Sequence, residues 1–448
     1  MKKFIESISN VWKIEELKNR ILITLGLLLV YRFGAQVTLP GIDATQLGNL
    51  AGQTKEGIGS ILDMFTGGAF SQASVFALGI MPYISASIVV QLMGIAIPYL
   101  QKLQSDGESG RKKINQITRW LTIGITLVQG PTYIYNLYRT LPSNAFLLGF
   151  NSFEFLFSSV IILVTGTIFA MWLGEKITDK GIGNGISLLI MVGILARFPQ
   201  AFIQEFTTRV TNNNGGPMLL VIEIIIWLLV IVCCVLLVMA VRRIPVQYAR
   251  RTTSGDFEQD MLNGNRQWIP LKLNASGVMP IIFAQAIMFI PAALAGLSKS
   301  DTSQSIVGAF SNMFGFWYNL VFATLIIVFT FFYTAITVPT NKMSDDLKRS
   351  GGFIPGIRPG AETSDYLDKV MSLITFPGSL FLALIAVFPA IIVSIMDVQQ
   401  SWAMFFGGTS LIIMVGVAID TMQQINSYLL NRHYDGLMKS GKNRKAVA

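Results

Sequence analysis

Long apolar stretches separated by polar connections dominate the pattern of the chain. An α-helix needs about 20 apolar residues to cross the hydrocarbon core of a bilayer, and runs of that kind recur along the whole sequence. They lie at 21–37, 74–99, 117–138, 153–173, 186–204, 218–241, 275–296, 318–339, 370–395 and 403–427. The pattern predicts ten membrane-spanning helices. The first run follows an amphipathic segment and lacks a small-residue cleavage site, so we interpret it as a retained span rather than a signal peptide.

The amino-acid composition also indicates a membrane protein. Of 448 residues, 52% are hydrophobic and 13% are charged, which is too apolar for a soluble domain of this length. The predicted fold is therefore an all-α polytopic membrane protein. Cys233 and Cys234 are adjacent inside the sixth run, a spacing that suits neither a disulfide framework nor a metal site. We expect no metal and no cofactor.

Basic residues fall mainly in alternate connections, starting with the N-terminal segment. These connections hold 28 of the 34 Lys and Arg residues, which predicts that both termini are cytoplasmic. This topology explains most of the net charge of +9. Two of the connections, 242–273 and 340–369, are longer than topology requires and would suit a large acidic or RNA-bearing partner. Their paired basic residues are Arg242, Arg243, Arg250, Arg251, Lys348 and Arg349.

Two internal sequence repeats, which we call echoes, divide the ten runs into two sets of five. GISLLIMVG at 185–193 and GTSLIIMVG at 408–416 share seven of nine residues and lie in the fifth and tenth runs. GIMPYISASI at 79–88 and GVMPIIFAQAI at 277–287 share Gly-x-Met-Pro in the second and seventh runs. Because an offset of five crossings reverses direction, the echoes predict an inverted-topology repeat. Their glycines and prolines interrupt helices, so these four spans should face the interior of the bundle.

The predicted spans offer little catalytic or ligand-binding chemistry. Arg32 and Glu223 lie near span ends, and the single histidine, His433, lies in the C-terminal tail. Ion-coupled carriers and proton relays need ionisable side chains within the bilayer. The sequence also lacks the HExxH and GxSxG motifs of membrane proteases and hydrolases. We therefore expect a protein without enzymatic activity.

The four broken spans share isoleucines at helical spacing. They are Ile80, Ile84 and Ile88 in the second span, Ile186 and Ile190 in the fifth, Ile282 in the seventh and Ile413 in the tenth. Such residues ordinarily pack in a core or face lipid. Gathered from four broken helices, they would instead close a constriction that excludes water and ions by dewetting. A flexible aliphatic collar would seal around an extended polypeptide without selecting one sequence.

Two other classes stay open at this point. An inverted-repeat secondary transporter of small solutes would also have broken helices and internal echoes, but it requires a polar or charged residue at the midplane. A passive scaffold or insertase without an aqueous pore would not bring the isoleucines into contact with a transiting chain.

Five longer segments are specific enough to suggest a family. They are FALGIMPYISASI (76–88), SDGESGRKKI (105–114), MWLGEKITDKGIGNGIS (171–187), VPTNKMSDDLKRSGGFIPGIRPG (338–360) and FGGTSLIIMV (406–415). These segments resemble the SecY family, the central subunit of the bacterial protein-conducting channel. The resemblance implies a clamshell of two five-helix halves around an hourglass pore, with a lateral gate that opens to lipid. The corresponding divisions are an N-terminal segment 1–20, halves at 21–204 and 218–427, an external connection 205–217 and a basic tail 428–448.

The resemblance also assigns site residues. The pore ring falls on Ile80, Ile84, Ile186, Ile190, Ile282 and Ile413. The plug, a short half-helix under the closed ring, falls on Ile61, Leu62, Asp63, Met64, Phe65, Thr66, Gly67, Gly68, Ala69, Phe70 and Ser71. This stretch is too short to cross a bilayer and is broken by two glycines, so a re-entrant segment is reasonable and a surface loop is the alternative. The lateral gate falls on Ser85, Ile88, Gln129 and Asn274, and a motor or ribosome contact falls on Arg358 together with the paired basic residues.

Family membership would imply a set of partners and a location. The partners are the subunits SecE and SecG, the ATPase SecA, the translating ribosome, signal sequences, nascent polypeptides and membrane lipid, with ribosomal RNA as a contact of the basic loops. The location is the bacterial inner membrane. Energy would come from SecA, from chain elongation or from the proton motive force. The sequence departs from the family at Lys112, where a second arginine is common, and the external segments 45–60 and 205–217 are not recognisable.

Overall fold

The computed structural model describes residue 12 and residues 14–47, 63–141, 145–146, 152–211, 216–248, 266–295 and 313–445. Its helices are α1 (Glu15–Gly34), α2 (Met81–Ala96), α3 (Pro98–Ser105), α4 (Gly107–Thr140), α5 (Ser152–Lys180), α6 (Gly185–Thr211), α7 (Gly216–Met239), α8 (Met279–Ala295), α9 (Phe316–Thr337), α10 (Thr340–Arg349), α11 (Ala361–Met396), α12 (Gln400–Ala403) and α13 (Gly408–Lys445). Each of the ten predicted runs overlaps a helix, and the run at 74–99 overlaps both α2 and the start of α3. The polytopic helical fold is therefore confirmed.

Six helices among the described residues are long and apolar enough to cross a membrane. They are α5, α6, α7, α9, α11 and α13. Helices α2 and α3 also qualify as a pair that is bent by 104° at the break between them. The break lies at Ile97, which is extended (φ −103°, ψ 115°) because the following Pro98 disfavours the helical conformation of the residue before it. Compared with these six helices, α8 is shorter, and α1 and α4 are less apolar and carry more charged residues.

The chain forms two compact units. The first unit comprises Met1–Pro217, Gln399–Trp402 and Gly416–Ala448, and the second comprises Met218–Val398 and Ala403–Val415. In the first unit α4 packs against α2, α3 and α5, and α5 packs against α1 and α6. A buried core joins α4 and α5 to the segment before α2, with Leu39, Ala73 and Ile134 fully enclosed. This core fixes the segment that precedes α2.

The second unit contains helices α7 to α11 and a three-stranded antiparallel sheet. The strands are β1 (Val241–Tyr248), β2 (Arg266–Lys272) and β3 (Gly352–Phe353), in the order β2-β1-β3. The hydrophobic pattern had predicted only connecting loops at these stretches. Pro245 lies in the central strand β1, but β3 pairs only with Gln247 and Tyr248, so the missing N–H of Pro245 interrupts no ladder on that side. In the other direction Pro245 lies opposite Trp268 of β2.

Helix α6 is longer than the apolar run that predicted it. The run ends at 204, whereas the helix continues to Thr211. Residues 205–211, which the sequence analysis assigned to the external connection, include Glu205 and Arg209. Their charges pair one turn apart at 2.8 Å, with both side chains buried, and this pairing allows a charged stretch to continue a buried helix.

Candidate functional site

The Gly-x-Met-Pro echo has the same backbone conformation in both units. Gly79 has φ +54° and Gly277 has φ +63°, a left-handed conformation that glycine adopts without steric cost. Helix α2 begins at Met81 and α8 begins at Met279, directly after the residue that follows each glycine. The proline of each echo is the second helical residue, where a missing N–H costs little because the first turn lacks acceptors.

The second echo also marks two helix starts. Helix α6 begins at Gly185 and α13 begins at Gly408, and Gly408 has φ +66°. Ile190 and Ile413 occupy the same position in their helices, and both are buried. The repeat seen in the sequence is thus a repeat of helix starts with an isoleucine at a fixed distance from each.

The predicted ring residues are divided between the units. Ile80, Ile84, Ile186 and Ile190 belong to the first unit, and Ile282 and Ile413 belong to the second. Ile80 caps the start of α2, and its carbonyl accepts the Ile84 N–H at 3.0 Å. Ile80, Ile190 and Ile413 are buried, and the other three are partly buried. The closed ring, which draws on both units, stays a prediction.

The described part of the predicted plug, residues 63–71, is enclosed within the first unit. Ile61 and Leu62 lie outside the described residues. Asp63, Met64 and Phe65 form a helical turn, and Gly67 and Gly68 then take left-handed φ values of +66° and +95°. The segment is buried almost throughout, and Thr66, Ala69 and Ser71 are at most 3% exposed. In the first unit it is an interior segment and not a surface loop.

Helix α6 approaches the backbone of this segment through a glycine pair. A Cβ atom added to Gly193 would lie 2.6 Å from the carbonyl oxygen of Phe65, and one added to Gly67 would lie 2.8 Å from the Cα of Gly193. Both distances are too short for real side chains. The absence of side chains at Gly67 and Gly193 therefore allows the two backbones to touch.

Polar side chains from three helices bind the same segment. Arg197 of α6 forms an ion pair with Asp63 and donates to the Ser71 hydroxyl at 2.6 Å. Arg32 of α1 donates to the carbonyl oxygen of Gly67 at 2.6 Å. Tyr133 of α4 donates its hydroxyl to the carbonyl oxygen of Phe70 at 2.8 Å, and the two rings lie 4.9 Å apart.

Sequence reasoning did not find these contacts. From the sequence, Arg32 was placed only near a span end, and no role was predicted for Arg197. The available signals for these contacts were an arginine in each of two spans and an aspartate at the start of the segment that contains Gly67 and Gly68. Because a buried charge requires a partner, they indicated that some of these charges would pair. The sequence did not indicate which charges would pair.

The predicted lateral-gate residues occupy different environments. Ser85 and Ile88 lie on α2, where Ser85 is partly exposed and Ile88 is buried. Gln129 is exposed on α4, the helix that packs against α2. Asn274 is buried in the turn before α8 of the second unit, where it accepts the Ser276 hydroxyl at 3.3 Å. The gate that these residues would form stays a prediction.

A folded platform in the second unit carries the predicted partner-binding residues. We define the platform as the β1-β2-β3 sheet, α10 and the first turns of α11. Its core consists of Ile244, Val246, Leu271, Leu347, Ile354, Leu367 and Met371. The alternation of β-branched and aromatic residues in IPVQY and RQWIPLK was the signal that could have predicted strands.

The basic residues of the platform point away from this core. Arg242 and Arg243 are exposed on β1, and Lys348 and Arg349 are exposed at the end of α10. Arg250 and Arg251 lie outside the described residues. Two side-chain hydroxyls hold the backbone of the exposed Arg358 loop. Ser344 donates to the carbonyl oxygen of Gly360 at 2.6 Å, and Thr363 donates to that of Arg358 at 2.8 Å. The platform thus presents positive charge on a rigid support.

The described residues contain no cluster of three or more His, Cys, Asp or Glu side chains that could hold a metal ion. In this part of the chain, repeated helix starts carry aliphatic side chains, and polar contacts hold a buried segment.

The chain is similar to known proteins over nearly its whole length. The SecY family model matches residues 74–422. The SecY translocase subunit of Thermotoga maritima is 38% identical, with 98% of this chain and 99% of the relative covered. That of Haemophilus influenzae is 41% identical, with 95% and 94% covered.

Two solved structures share the fold. One is a SecY protein described by the role of its plug domain in stabilising the closed translocation channel, with 17% identity, a TM-score of 0.58 and 92% of both chains covered. The other is canine Sec61 in a ribosome-channel complex, with 16% identity, a TM-score of 0.51 and 92% of both chains covered.

Together the fold, the paired helix starts and these similarities define the class as protein-conducting channel subunits of membranes. The protein is a multi-pass protein of the bacterial plasma membrane. The chain belongs to the SecY family.

Proposed function

We propose that this chain conducts unfolded secretory polypeptides across the plasma membrane and releases membrane segments laterally into the lipid. The observation that supports this most directly is the recurrence of one helix start in both units, with an isoleucine at the same distance from Gly185 and from Gly408. A small-solute transporter would instead need polar ligands at the midplane. Family membership also disfavours that alternative.

In this proposal six isoleucines form the constriction. The first unit contributes Ile80, Ile84, Ile186 and Ile190, and the second contributes Ile282 and Ile413. Branched aliphatic side chains exclude water and ions from a narrow opening, yet they offer no charge or hydrogen bond that would select one transiting sequence. A ring of this kind seals on itself at rest and around a chain during translocation.

Segment 61–71 closes the resting channel as a plug. Two observations support this role. Residues 63–71 are buried and yet attached by polar contacts to α1, α4 and α6, which is the kind of attachment that can be released and re-formed. In addition, the SecY protein with the same fold is described as using its plug domain to maintain a membrane seal.

Signal sequences open the channel by wedging a lateral gate formed by Ser85, Ile88, Gln129 and Asn274. Polar contacts between helices in lipid are worth about 0.6–2 kcal/mol each, so a seam built from a few of them can open when an apolar segment intercalates. A signal sequence that binds the open state more tightly than the closed state shifts the population toward opening.

SecE and SecG complete the complex, and SecA and the translating ribosome bind the platform. The exposed Arg242, Arg243, Lys348, Arg349 and Arg358 suit acidic protein surfaces or the phosphates of ribosomal RNA. The energy for translocation comes from SecA, chain elongation or the proton motive force, and this subunit itself makes and breaks no bond. Both termini and the platform face the cytoplasm, in agreement with the distribution of basic residues.

Ion conductance tests the ring. Ile190→Asn and Ile413→Asn should each raise the resting conductance of the complex reconstituted in planar bilayers, because an amide side chain admits water to the constriction. Leu195→Asn is a matched control, since Leu195 lies on the same helix as Ile190 and is 49% exposed. If both ring variants seal as tightly as the control, the ring assignment is wrong.

Crosslinking separates the three functional classes. A photoreactive residue at position 282 should crosslink to a stalled secretory precursor. A solute transporter predicts no crosslink and a saturable small ligand, and a scaffold without a pore predicts no contact with the transiting chain.

A further inference from the structure

Two arginines from different helices hold segment 63–71 in its docked position. We infer that Asp63, Ser71, Arg32 and Arg197 form a polar latch, and that this latch sets how strictly the channel rejects precursors with defective signal sequences. The inference rests on the plug role proposed above. It adds the residues that position the plug and determine its threshold for release.

Bonds inside the segment give it a fixed shape. The Ser71 N–H donates to the Asp63 carboxylate at 2.8 Å, and the Ser71 hydroxyl donates to the carbonyl oxygen of Gly68 at 3.1 Å. The Phe70 N–H donates to the Thr66 hydroxyl at 3.2 Å. Because donors and acceptors all belong to residues 63–71, these bonds survive when the segment leaves its site. The plug therefore moves as a preformed body.

Arg197 supplies the strongest contact between this body and the helices. Its guanidinium pairs with one carboxylate oxygen of Asp63 while the other oxygen accepts the Ser71 N–H, and the same nitrogen binds the Ser71 hydroxyl. The Asp63 side chain is only 13% exposed and that of Arg197 only 24%, so solvent screens the pair less than a surface pair. Gln200 accepts another guanidinium N–H at 3.0 Å, which helps to orient Arg197.

Arg32 binds the backbone of the segment and not a side chain. Its guanidinium reaches the carbonyl oxygen of Gly67, where a Cβ atom would lie 2.8 Å from the guanidinium nitrogen. Tyr133 adds a third contact through the carbonyl oxygen of Phe70. Of these three described contacts, that of Arg197 depends on the charge of its partner, so the Asp63–Arg197 pair is the contact to test by charge exchange.

Release of the plug must break these external contacts, whereas the internal bonds are kept. A signal sequence can shift the equilibrium between closed and open channel only by the difference between its binding free energies for the two states. A defective signal sequence has a small preference, so an intact latch holds the plug in place. A weakened latch lowers the threshold and allows defective precursors to pass.

Secretion of a precursor with a defective signal sequence measures this threshold in cells that carry the full-length variant. Asp63→Asn and Arg197→Gln should each raise its export by about tenfold, as expected for a modest coupling free energy. Asp63→Arg and Arg197→Asp should do the same singly. The double variant that exchanges the two charges should be stricter than either single variant but less strict than the unaltered chain, because arginine at position 63 cannot accept the Ser71 N–H. Lys112→Gln is the control, because the Lys112–Glu108 pair is exposed and lies outside the segment.

The latch would be rejected if the single variants still excluded precursors with defective signal sequences. It would also be rejected if the charge-exchanged double variant excluded them no better than its single variants. Ile190→Asn, measured in parallel, separates this outcome from a failure of the channel proposal. If Ile190→Asn loosens selection and the latch variants do not, only the latch is rejected, and if none of them loosens selection, the proposed sealing function is rejected as well. Ser71→Ala keeps both charges and removes one hydroxyl, so it provides a mild test should the charge variants misfold, with an intermediate increase expected.

Discussion

The contact between Gly193 and segment 63–71 leads to a quantitative prediction. In Gly193→Ala the new Cβ would lie 2.6 Å from the carbonyl oxygen of Phe65 and 3.4 Å from the backbone nitrogen of Gly67. A backbone carbonyl cannot rotate away as a side chain can. The clash is therefore relieved only if the whole segment moves away from α6.

The size of the effect follows from the cost of overpacking. An extra methyl group in a well-packed site costs about 1–3 kcal/mol. If the docked plug alone bears this cost, its equilibrium with the released plug shifts by about 5- to 150-fold. The free energy of unfolding should fall by less, because replacing glycine by alanine inside a helix stabilises it by about 0.5–1 kcal/mol.

The assay combines resting conductance in planar bilayers with the thermal unfolding of the purified protein. We expect a clear rise in conductance and a small change in Tm for Gly193→Ala. Gly26→Ala and Gly124→Ala are matched helical controls, because a Cβ atom at either position meets nothing within 4 Å. A Gly193→Ala channel that seals as tightly as these controls would refute the argument that backbone contact seats the plug.

Two further predictions concern other parts of the fold. Glu205→Ala should destabilise the protein by about 3–5 kcal/mol in thermal unfolding, because it removes one member of the buried Glu205–Arg209 pair, and Lys112→Ala at the exposed Lys112–Glu108 pair should leave Tm unchanged. Leu347→Ala should destabilise the platform core by about 2–5 kcal/mol, raise its sensitivity to limited proteolysis and weaken the SecA binding that we propose. The resting conductance of Leu347→Ala should be unchanged, because the platform is not part of the proposed seal. A raised resting conductance would contradict this prediction.

The positions of the helices and the places where the four repeat-bearing helices begin were predictable because both depend on local properties. An apolar run of sufficient length has to form a helix in lipid, since unpaired backbone groups are costly there. Gly79 and Gly277 each lie two residues before a helix, because glycine in the left-handed conformation ends the preceding backbone conformation and allows a helix to begin. Repetition in the sequence then indicated the repeated geometry before any contact was known.

The sheet and the longer α6 were not predicted because their stability comes from partners distant in sequence. Ile244 and Leu271 form part of a core only when β1 and β2 pair across residues 249–265, and Gly352 joins the sheet from about 100 residues further along. Glu205 and Arg209 interrupt the apolar pattern, and their pair is supported by a distant residue. The backbone N–H of Gln399 donates to the Glu205 carboxylate at 3.1 Å, and its side-chain amide donates to the Thr208 hydroxyl at 2.8 Å.

The sequence by itself determined the membrane class, the helices, the repeat and the family of this protein, because hydrophobic length, glycine and proline act within a few residues. Only the tertiary structure decided that Asp63 pairs with Arg197, that Arg32 binds the backbone of Gly67 and that Gly193 touches Phe65. Each of these contacts joins positions at least 35 residues apart. Charge and size can be read from the sequence, but the partner of a buried charge is set by the packing of the helices that bring the two groups together.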